Sequence, residues 1–396
     1  MSDRTVPAGP VLPLRPHPRR NRSLPRLGRA LRESPLLRQT LTEAIGSAKA
    51  GTGFQPGIAF DMPEDEYHAV PALSYSGIRN LLISPLDFYL RCRWLNPDFR
   101  DEPTDAMSLG KAYHCRIVEG REAFDRRYAA ALDPADFPRA LRTLEDIRAA
   151  LPEEGSKGGT KTALIARLFE HRPDAMVWDT LVAAHEALNA DKILLPPAVV
   201  RKIELAAAMI EKHPYLGGSF SDGLPEVSVF WTDPELGLPM KMRCDYLKAT
   251  EIVELKTFGN PFNKSIDRAV TSAMAAGRYH VQAMVYQEGI GAAKAMIRQR
   301  GRKGVRGEID RCWLARFAAT EAHSFLFIFQ SNGLAPVARG YRYPAGLNQE
   351  AAKLTISLAK RSFAEHRDRF GKGLWLDVEP IRDFDDAEFP LWMTEA

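Results

Sequence analysis

The sequence predicts an α/β fold, a mixed sheet flanked by helices, and two patterns carry that reading. Between 225 and 258 the chain reads as three short strands separated by turn residues, and a fourth, apolar strand stands at "HSFLFIFQ" (323–330). Around them lie stretches with helical spacing: "KIELAAAMIEKHPYL" (202–216), "RYHVQAMVYQEGIGAAKAM" (278–296) and "NQEAAKLTISLAKRSFAEHRDRF" (348–370). With 396 residues, 45% of them hydrophobic and 26% charged, the chain can bury one large core or two.

Taken in order, residues 1–52 are expected to form a disordered basic arm, because "MSDRTVPAGPVLPLRPHPRRNRSLPRLGRALRESPLLRQ" is rich in Pro and Arg and keeps no period. Residues 53–132 are expected to be the N-terminal helical part of the main domain. There Ser74 or Ser76 can cap a helix over Ile78 to Leu82, and Ser84 followed by Pro85 starts another. Leu109, Tyr113, Arg116 and Ile117 mark a third helix, with His114 inside it. Residues 133–199 read as a helical insertion. Residues 200–396 hold the hairpin around Pro234 to Pro239, the strand "EIVELKTF" (251–258) and the C-terminal helix.

Composition narrows the function classes. The four cysteines, Cys92, Cys115, Cys244 and Cys312, form no C-x-x-C pair, so neither a disulfide framework nor a zinc knuckle is indicated. Without a run of some 18 apolar residues or the apolar core of a signal peptide, a cytoplasmic chain with no membrane partner is expected. The net charge of +4 says little about polyanionic partners.

Charges interrupt the third strand where a buried sheet should be apolar. Alternation puts Glu254 and Lys256 on one face, and a turn near Ala249 and Thr250 sets Asp245 about opposite Glu254. Two carboxylates that close repel unless a divalent cation holds them ionised. A lysine beside them can orient or deprotonate a water and stabilise charge building on a phosphate. From these three residues alone, an exposed ion pair across a hairpin fits as well.

The wider set resembles a known family. "GKAYH" with His114, "RCDYL" with Asp245, "VELKT" with Glu254 and Lys256, and "QAMVY" with Gln282 and Tyr286 are similar in order and spacing to the RecE-type (exonuclease VIII) branch of the PD-(D/E)xK, RecB-like nucleases. "LSYSGIRNLLISPLDFY" resembles the start of that family's domain, and "PEVSVFW" places Glu226 where relatives carry another acid. Two positions depart: Cys244 replaces the usual Pro before the Asp, and the strand carboxylate is Glu rather than Asp. The resemblance implies a PD-(D/E)xK nuclease-like mixed sheet with Asp245, Glu254, Lys256, Gln282, Tyr286 and Glu226 as catalytic residues. It implies magnesium, with manganese able to substitute, held by His114, Asp245, Glu254 and the Leu255 carbonyl. It further implies 5′ to 3′ degradation of double-stranded DNA from its ends, a ring-shaped homo-oligomer, and a RecT-type annealing partner in prophage-encoded recombination. Ser74 and Arg79 are read either as plain helix-surface residues or as a grip on a terminal phosphate.

Two more segments bear on DNA. "TLEDIRAALPEEGSKGGTKTALIARLFEH", at about 141–172, resembles a SAP or helix-extension-helix module, with Leu144, Ile147, Leu151, Leu164, Ile165 and Leu168 as its core and Lys157, Lys161 and Arg167 toward phosphates. Its "GSKGGTKT" is no P-loop, since Thr160 takes the required Gly position and a helix precedes it. The run "IRQRGRKGVRGE" (297–308) is read as a Gly-rich loop beside the site whose Arg298, Arg300, Arg302 and Lys303 grip duplex backbone. The alternatives are a DNA-end-binding scaffold without catalysis and another RecB-like nuclease such as a Cas4-like one, whose iron–sulfur cluster needs clustered cysteines.

Overall fold

The computed structural model describes residues 54–376 apart from Asp101, Pro103 and Gly155, together with 381–383 and 385–389. The basic arm expected over 1–52 lies outside them, and the described residues belong to one compact unit, Gly53–Ala396. The chain enters on β1 (Gly57–Ala59) and coils through α1 (Glu64–Ala69), α2 (Tyr75–Leu81) and α3 (Pro85–Leu90). Ser74 Oγ accepts the Gly77 N–H at 3.3 Å and Ser84 Oγ that of Asp87 at 3.0 Å, so both serines cap helices, and Pro85 sits where its missing N–H is harmless. α4 (Asp105–His114) continues through one π-helical turn, Cys115–Glu119, which ends at Gly120 with φ +95°. α5 (Arg121–Arg127) leads into β2 (Tyr128–Ala130).

The insertion carries α6 (Leu144–Ala150), α7 (Lys161–His171) and α8 (Trp178–Leu188). A capping box between Thr143 and Asp146 starts α6, and Ile147, Leu151, Leu164, Leu168 and Val177 bury one another in a small separate core. It returns through β3 (Ile193–Leu195), parallel to β2, and α9 (Pro197–Glu211).

The main sheet follows. β4 (Gly223–Thr232), β5 (Pro239–Lys248) and β6 (Glu251–Phe258) form the meander; α10 (Ile266–Ala276), α11 (Tyr279–Arg300), the two-residue β7 (Val305–Arg306) and α12 (Arg311–Ala319) follow it. β8 (Ser324–Ser331), β9 (Ala338–Arg342) and α13 (Leu347–Phe370) complete the fold. The seven strands run in the order β7-β1-β4-β5-β6-β8-β9, with β1·β7 and β6·β8 parallel and the other neighbours antiparallel. The predicted mixed sheet flanked by helices is therefore the fold. Its shortest strands escaped the sequence because two to five residues give a period no room to show.

On one face Val229, Trp231, Met240 and Met242 pack against Val281, Val285 and Ile290 of α11 and Ile356 and Phe363 of α13. On the other, Val253, Leu255, Leu326 and Ile328 meet Tyr113, Ile117, Ile203 and Ile210. Each such side chain contributes about 1.5–3 kcal/mol of burial. Gly289 lets α11 approach the sheet: a Cβ there would lie 2.6 Å from Met242 Sδ and 3.0 Å from the Trp231 ring. Lys360 ties α13 to this layer, its Nζ 2.6 Å from Asp233 Oδ2 and 2.7 Å from Glu288 Oε1.

One expectation is corrected here. The basic run is not a loop beside the charged strand, because α11 runs through Gly289 and Gly291 and ends only at its C-cap Gly301, at φ +56°. Arg298 and Arg300 form its last turn, and Arg302 and Lys303 a following 3₁₀ turn. At 1.5 Å per residue Arg298 stands about 18 Å along the helix from Tyr286. Its guanidinium donates to Ala318 O, at 2.7 and 3.1 Å, and Arg302 donates to Ile309 O at 3.3 Å, so two of the four cations close backbone ends.

Candidate active site

Strands β5 and β6 pair only at Tyr246↔Val253 and Leu247↔Ile252 and then part. Where the ladder stops, exposed backbone N–H groups need acceptors, and carboxylates supply them. Glu254 Oε1 accepts the Asp245 N–H at 2.9 Å, and Asp245 Oδ2 accepts the Leu255 N–H at 2.8 Å. Each acid thus braces the other's strand. Glu254 and Lys256 share a face as alternation requires, with Lys256 Nζ 2.7 Å from Glu254 Oε2 and 3.8 Å from Asp245 Oδ2.

α11 lays Gln282 and Tyr286, one turn apart, across this corner. Gln282 Nε2 donates to Glu254 Oε2 at 2.7 Å, and both residues are buried, Glu254 completely. Gln282, expected among the catalytic residues, does not line the cleft; it orients the strand carboxylate. Tyr286 does reach the cleft above, a cavity of about 1060 Å³ also lined by Tyr75, His114, Glu119, Glu226, Asp245, Leu255 and Lys256. Ser74 lines it too; Arg79 does not.

From the opposite wall the end of α4 presents His114, whose Nε2 lies 3.3 Å from Glu226 Oε1 and 3.5 Å from Asp245 Oδ1. Glu226 reaches this position because its backbone leaves the strand conformation, at φ +55°, and its carboxylate is met by Arg243 at 3.5 Å. A left-handed glutamate costs on the order of 1 kcal/mol or more. Arg243 holds the bend, donating also to Ser228 Oγ at 2.8 Å and Met62 O at 2.7 Å.

Glu119 is the residue that sequence reasoning missed. Five positions after His114, it would face elsewhere on an α-helix; the π-helical turn brings its Oε1 within 3.9 Å of His114 Nδ1, and Arg127 grips it at 2.7 Å. Arg243 escaped as well; its place two residues before Asp245, on one strand face, was the available signal.

Crowded acids in a buried cleft perturb one another. Burial raises Glu226 to about 7, helped by Asp245 and opposed by His114 and Arg243. Burial and then the Asp245 charge raise Glu254 to about 7 against the pull of Lys256. Asp245 resists burial because Lys256 and His114 outweigh it, and its pKa stays below the ordinary range. Burial disfavours the His114 cation, yet Asp245, Glu119 and Glu226 hold its pKa well above the usual histidine value. Burial also opposes the Lys256 cation, and Glu254 and Asp245 overcome it.

Among the described residues no three His, Cys, Asp or Glu side chains are arranged, as they stand, to hold a metal ion. The donor chemistry nevertheless fits one. His114 Nε2 is cut off from water and makes no hydrogen bond, while two carboxylate oxygens stand within 3.5 Å of it. A nitrogen and hard oxygens in that setting suit a divalent cation, which would also relieve the repulsion among the acids.

The insertion cations are differently engaged. Lys161 Nζ pairs with Asp179 Oδ2 at 2.7 Å, and Arg167 Nη1 donates to Ser156 O and Gly158 O at 2.7 and 2.8 Å. Of the three, Lys157 alone has no ion pair or side-chain hydrogen bond among the described residues: Arg167 holds the module's own 156–158 loop, and Lys161 ties α7 to Asp179 of α8 and to Arg142 O.

The profile of a family described as a PDDEXK-like domain of unknown function (DUF3799) matches residues 74–299. Among curated proteins nothing matches. Among solved structures, a "Putative exonuclease" from Eubacterium rectale aligns at 14% identity with a TM-score of 0.41, over 77% of this chain and 86% of that one.

Proposed function

The chain belongs to the PDDEXK-like domain family, and so to the PD-(D/E)xK nuclease superfamily, and from that premise we propose that it is a magnesium-dependent exodeoxyribonuclease acting on double-stranded DNA ends. The observation that carries the reading is the corner where Asp245, Glu254 and Lys256 meet beside a buried His114 nitrogen that faces two carboxylates without a hydrogen bond. His114, Asp245 and Glu226 would hold the ion, joined by Glu254 and the Leu255 carbonyl on the family resemblance. A bound divalent cation supplies Lewis-acid polarisation of a phosphoryl oxygen and a more acidic water.

The chain's own groups do the rest. Lys256 is held between Glu254 and the Tyr279 ring, 5.3 Å from its centroid, and lines the cleft as a fixed cation. Such a charge stabilises the negative charge that grows on a phosphodiester under attack, without reorganising to do so. Gln282 and the Asp245 N–H hold Glu254 in place beside Lys256. Tyr75, Tyr279 and Tyr286 line the cleft beside it.

The resemblance supports finer points as proposals: 5′ to 3′ polarity in the RecE manner, a homo-oligomeric ring, and recombination alongside a RecT-type annealing protein. The insertion is proposed to touch DNA through Lys157. Among the described residues no helix is long and apolar enough to cross a membrane. The test is digestion of an end-labelled blunt duplex with magnesium, with manganese and with chelator. Mononucleotide release in both metals and none in chelator is expected; a purified chain that binds the duplex and cuts nothing in either metal overturns the proposal.

A further inference from the structure

Beyond the cleft, the chain between β6 and α11 builds a second surface. Lys256 and Thr257 line the cleft, β6 ends at Phe258, and the chain turns through 259–265 into α10. α10 ends against the cleft wall, where Tyr75 Oη donates to Gly277 O. Its outward face is a groove of about 530 Å³ lined by Lys264, Arg268, Thr271, Ser272 and Ala275.

The groove is cationic and open. Neither Lys264 nor Arg268 makes an ion pair among the described residues, and the acid of this helix, Asp267, accepts a hydrogen bond from Tyr341 Oη at 2.9 Å. Lys264 Nζ lies along the groove, 3.3 Å from Ser272 Oγ. At its outer end stands Phe262, 80% exposed, with Lys264 Nζ 5.9 Å from its ring centroid.

An exposed aromatic alone is ordinary surface. Phe262 differs in being held out by a closed turn. The Asn260 side chain donates to Lys264 O at 2.7 Å and accepts the Lys264 N–H at 2.9 Å, and Asn263 takes a left-handed conformation, φ +48°. A ring carried out on a closed turn beside Lys264, with Arg268 farther along the same groove, suits single-stranded nucleic acid, with phosphates on the cations and a base on the ring. From Lys264 to Ala275 the groove runs about 16 Å, and stacked nucleotides advance about 3.4 Å each, so it spans a few nucleotides and ends at the cleft wall.

We propose that Phe262, Lys264 and Arg268 form a subsite for a single strand of nucleic acid at the cleft mouth, so that the strand is already unpaired where it meets the site. The subsite rests on the nuclease reading for its purpose but not for its measurement. Binding of the full chain to fluorescent oligothymidine and to a blunt duplex, without divalent metal, reads it directly across a salt series. Phe262→Ala should weaken oligothymidine binding about tenfold, and Phe262→Trp should retain it. Lys264→Ala with Arg268→Ala should lower the slope of log affinity against log salt by about 0.7 for each phosphate left unneutralised. All these residues are exposed, and melting curves matching the wild type will show that the variants fold.

Oligothymidine affinity of Phe262→Ala within twofold of wild type, or an unchanged slope in the double variant, overturns the subsite and leaves that surface to another class of partner. Cleavage assays on the same samples keep the two ideas apart. A wild type that digests duplex while Phe262→Ala binds oligothymidine normally loses only the subsite; one that binds through Phe262 and digests nothing loses only the nuclease.

Discussion

Removing the Lys256 ammonium separates what it does for the fold from what it does for chemistry. At an effective dielectric of about 20, its attractions to Glu254 at 2.7 Å and Asp245 at 3.8 Å are about 6 and about 4 kcal/mol. Most of this is offset by taking the charges out of water, and removing one partner of a buried pair costs about 3–5 kcal/mol. Glu254 keeps Gln282 Nε2 and the Asp245 N–H, so Lys256→Ala should fall at the low end, about 3 kcal/mol, or about 4 °C in melting temperature for a unit of this size. That leaves the chain folded at 25 °C. Turnover should suffer far more, because a fixed charge in a water-poor site is worth about 100- to 1000-fold in rate. Lys256→Arg should recover part of the stability and little of the rate, since a planar fork cannot take the place of a compact ammonium. The assay is single-turnover cleavage of a blunt duplex at saturating enzyme, beside thermal melts. If Lys256→Ala cleaves within about tenfold of wild type, the lysine is only a strand ion pair and the mechanism fails.

Asp245→Asn should abolish cleavage and lower the melting temperature, because an amide oxygen still accepts the Leu255 N–H but the charge facing Lys256 and His114 is gone, whereas Asp245→Ala should cost a further 1–3 kcal/mol, about the penalty for an orphaned buried donor; melts and digestion of both variants check this. Lys360→Met leaves Asp233 and Glu288 facing each other and should destabilise by about 3–5 kcal/mol in urea titrations, with activity at low temperature unchanged. Burial and the neighbouring Lys294 lower the His323 pKa to about 4, so the folded state resists its protonation. Stability present above pH 6.5 should be lost as pH falls toward 4, by about 3 kcal/mol, and His323→Leu should flatten that part of the urea-midpoint profile. In the insertion, Lys157→Ala should lower the salt slope of duplex binding by about one, while Arg167→Ala should chiefly loosen the module, as proteolysis of its 156–158 loop will report.

Strand and helix patterns are local, which is why the meander, the long helices and the serine caps could be read without a structure. The shared face of Glu254 and Lys256 follows from the two-residue repeat of a strand, and the Asp245 register follows from the turn. That Gln282 and Tyr286 stack on one helix face follows from their spacing of four. Those regularities also misled at one place: a Gly-rich basic run looks like a loop, but helix α11 persists to Arg300 on the strength of its packing against the sheet.

By itself, then, the chain determined the fold class, the strand that carries the charges, and the residue types that meet there, because each of these depends on neighbours within a few positions. Only the tertiary structure decided how those residues divide the work. Glu119 joins His114 through a π-helical turn, and Glu226 swings into the cleft through a left-handed residue that Arg243 holds in place. Gln282 serves Glu254 rather than the cleft, and the groove of α10 meets the cleft wall at Gly277. None of these contacts has a period in the sequence, since each joins segments brought together only when the two faces of the sheet bury their apolar side chains and the polar groups left between them must find partners.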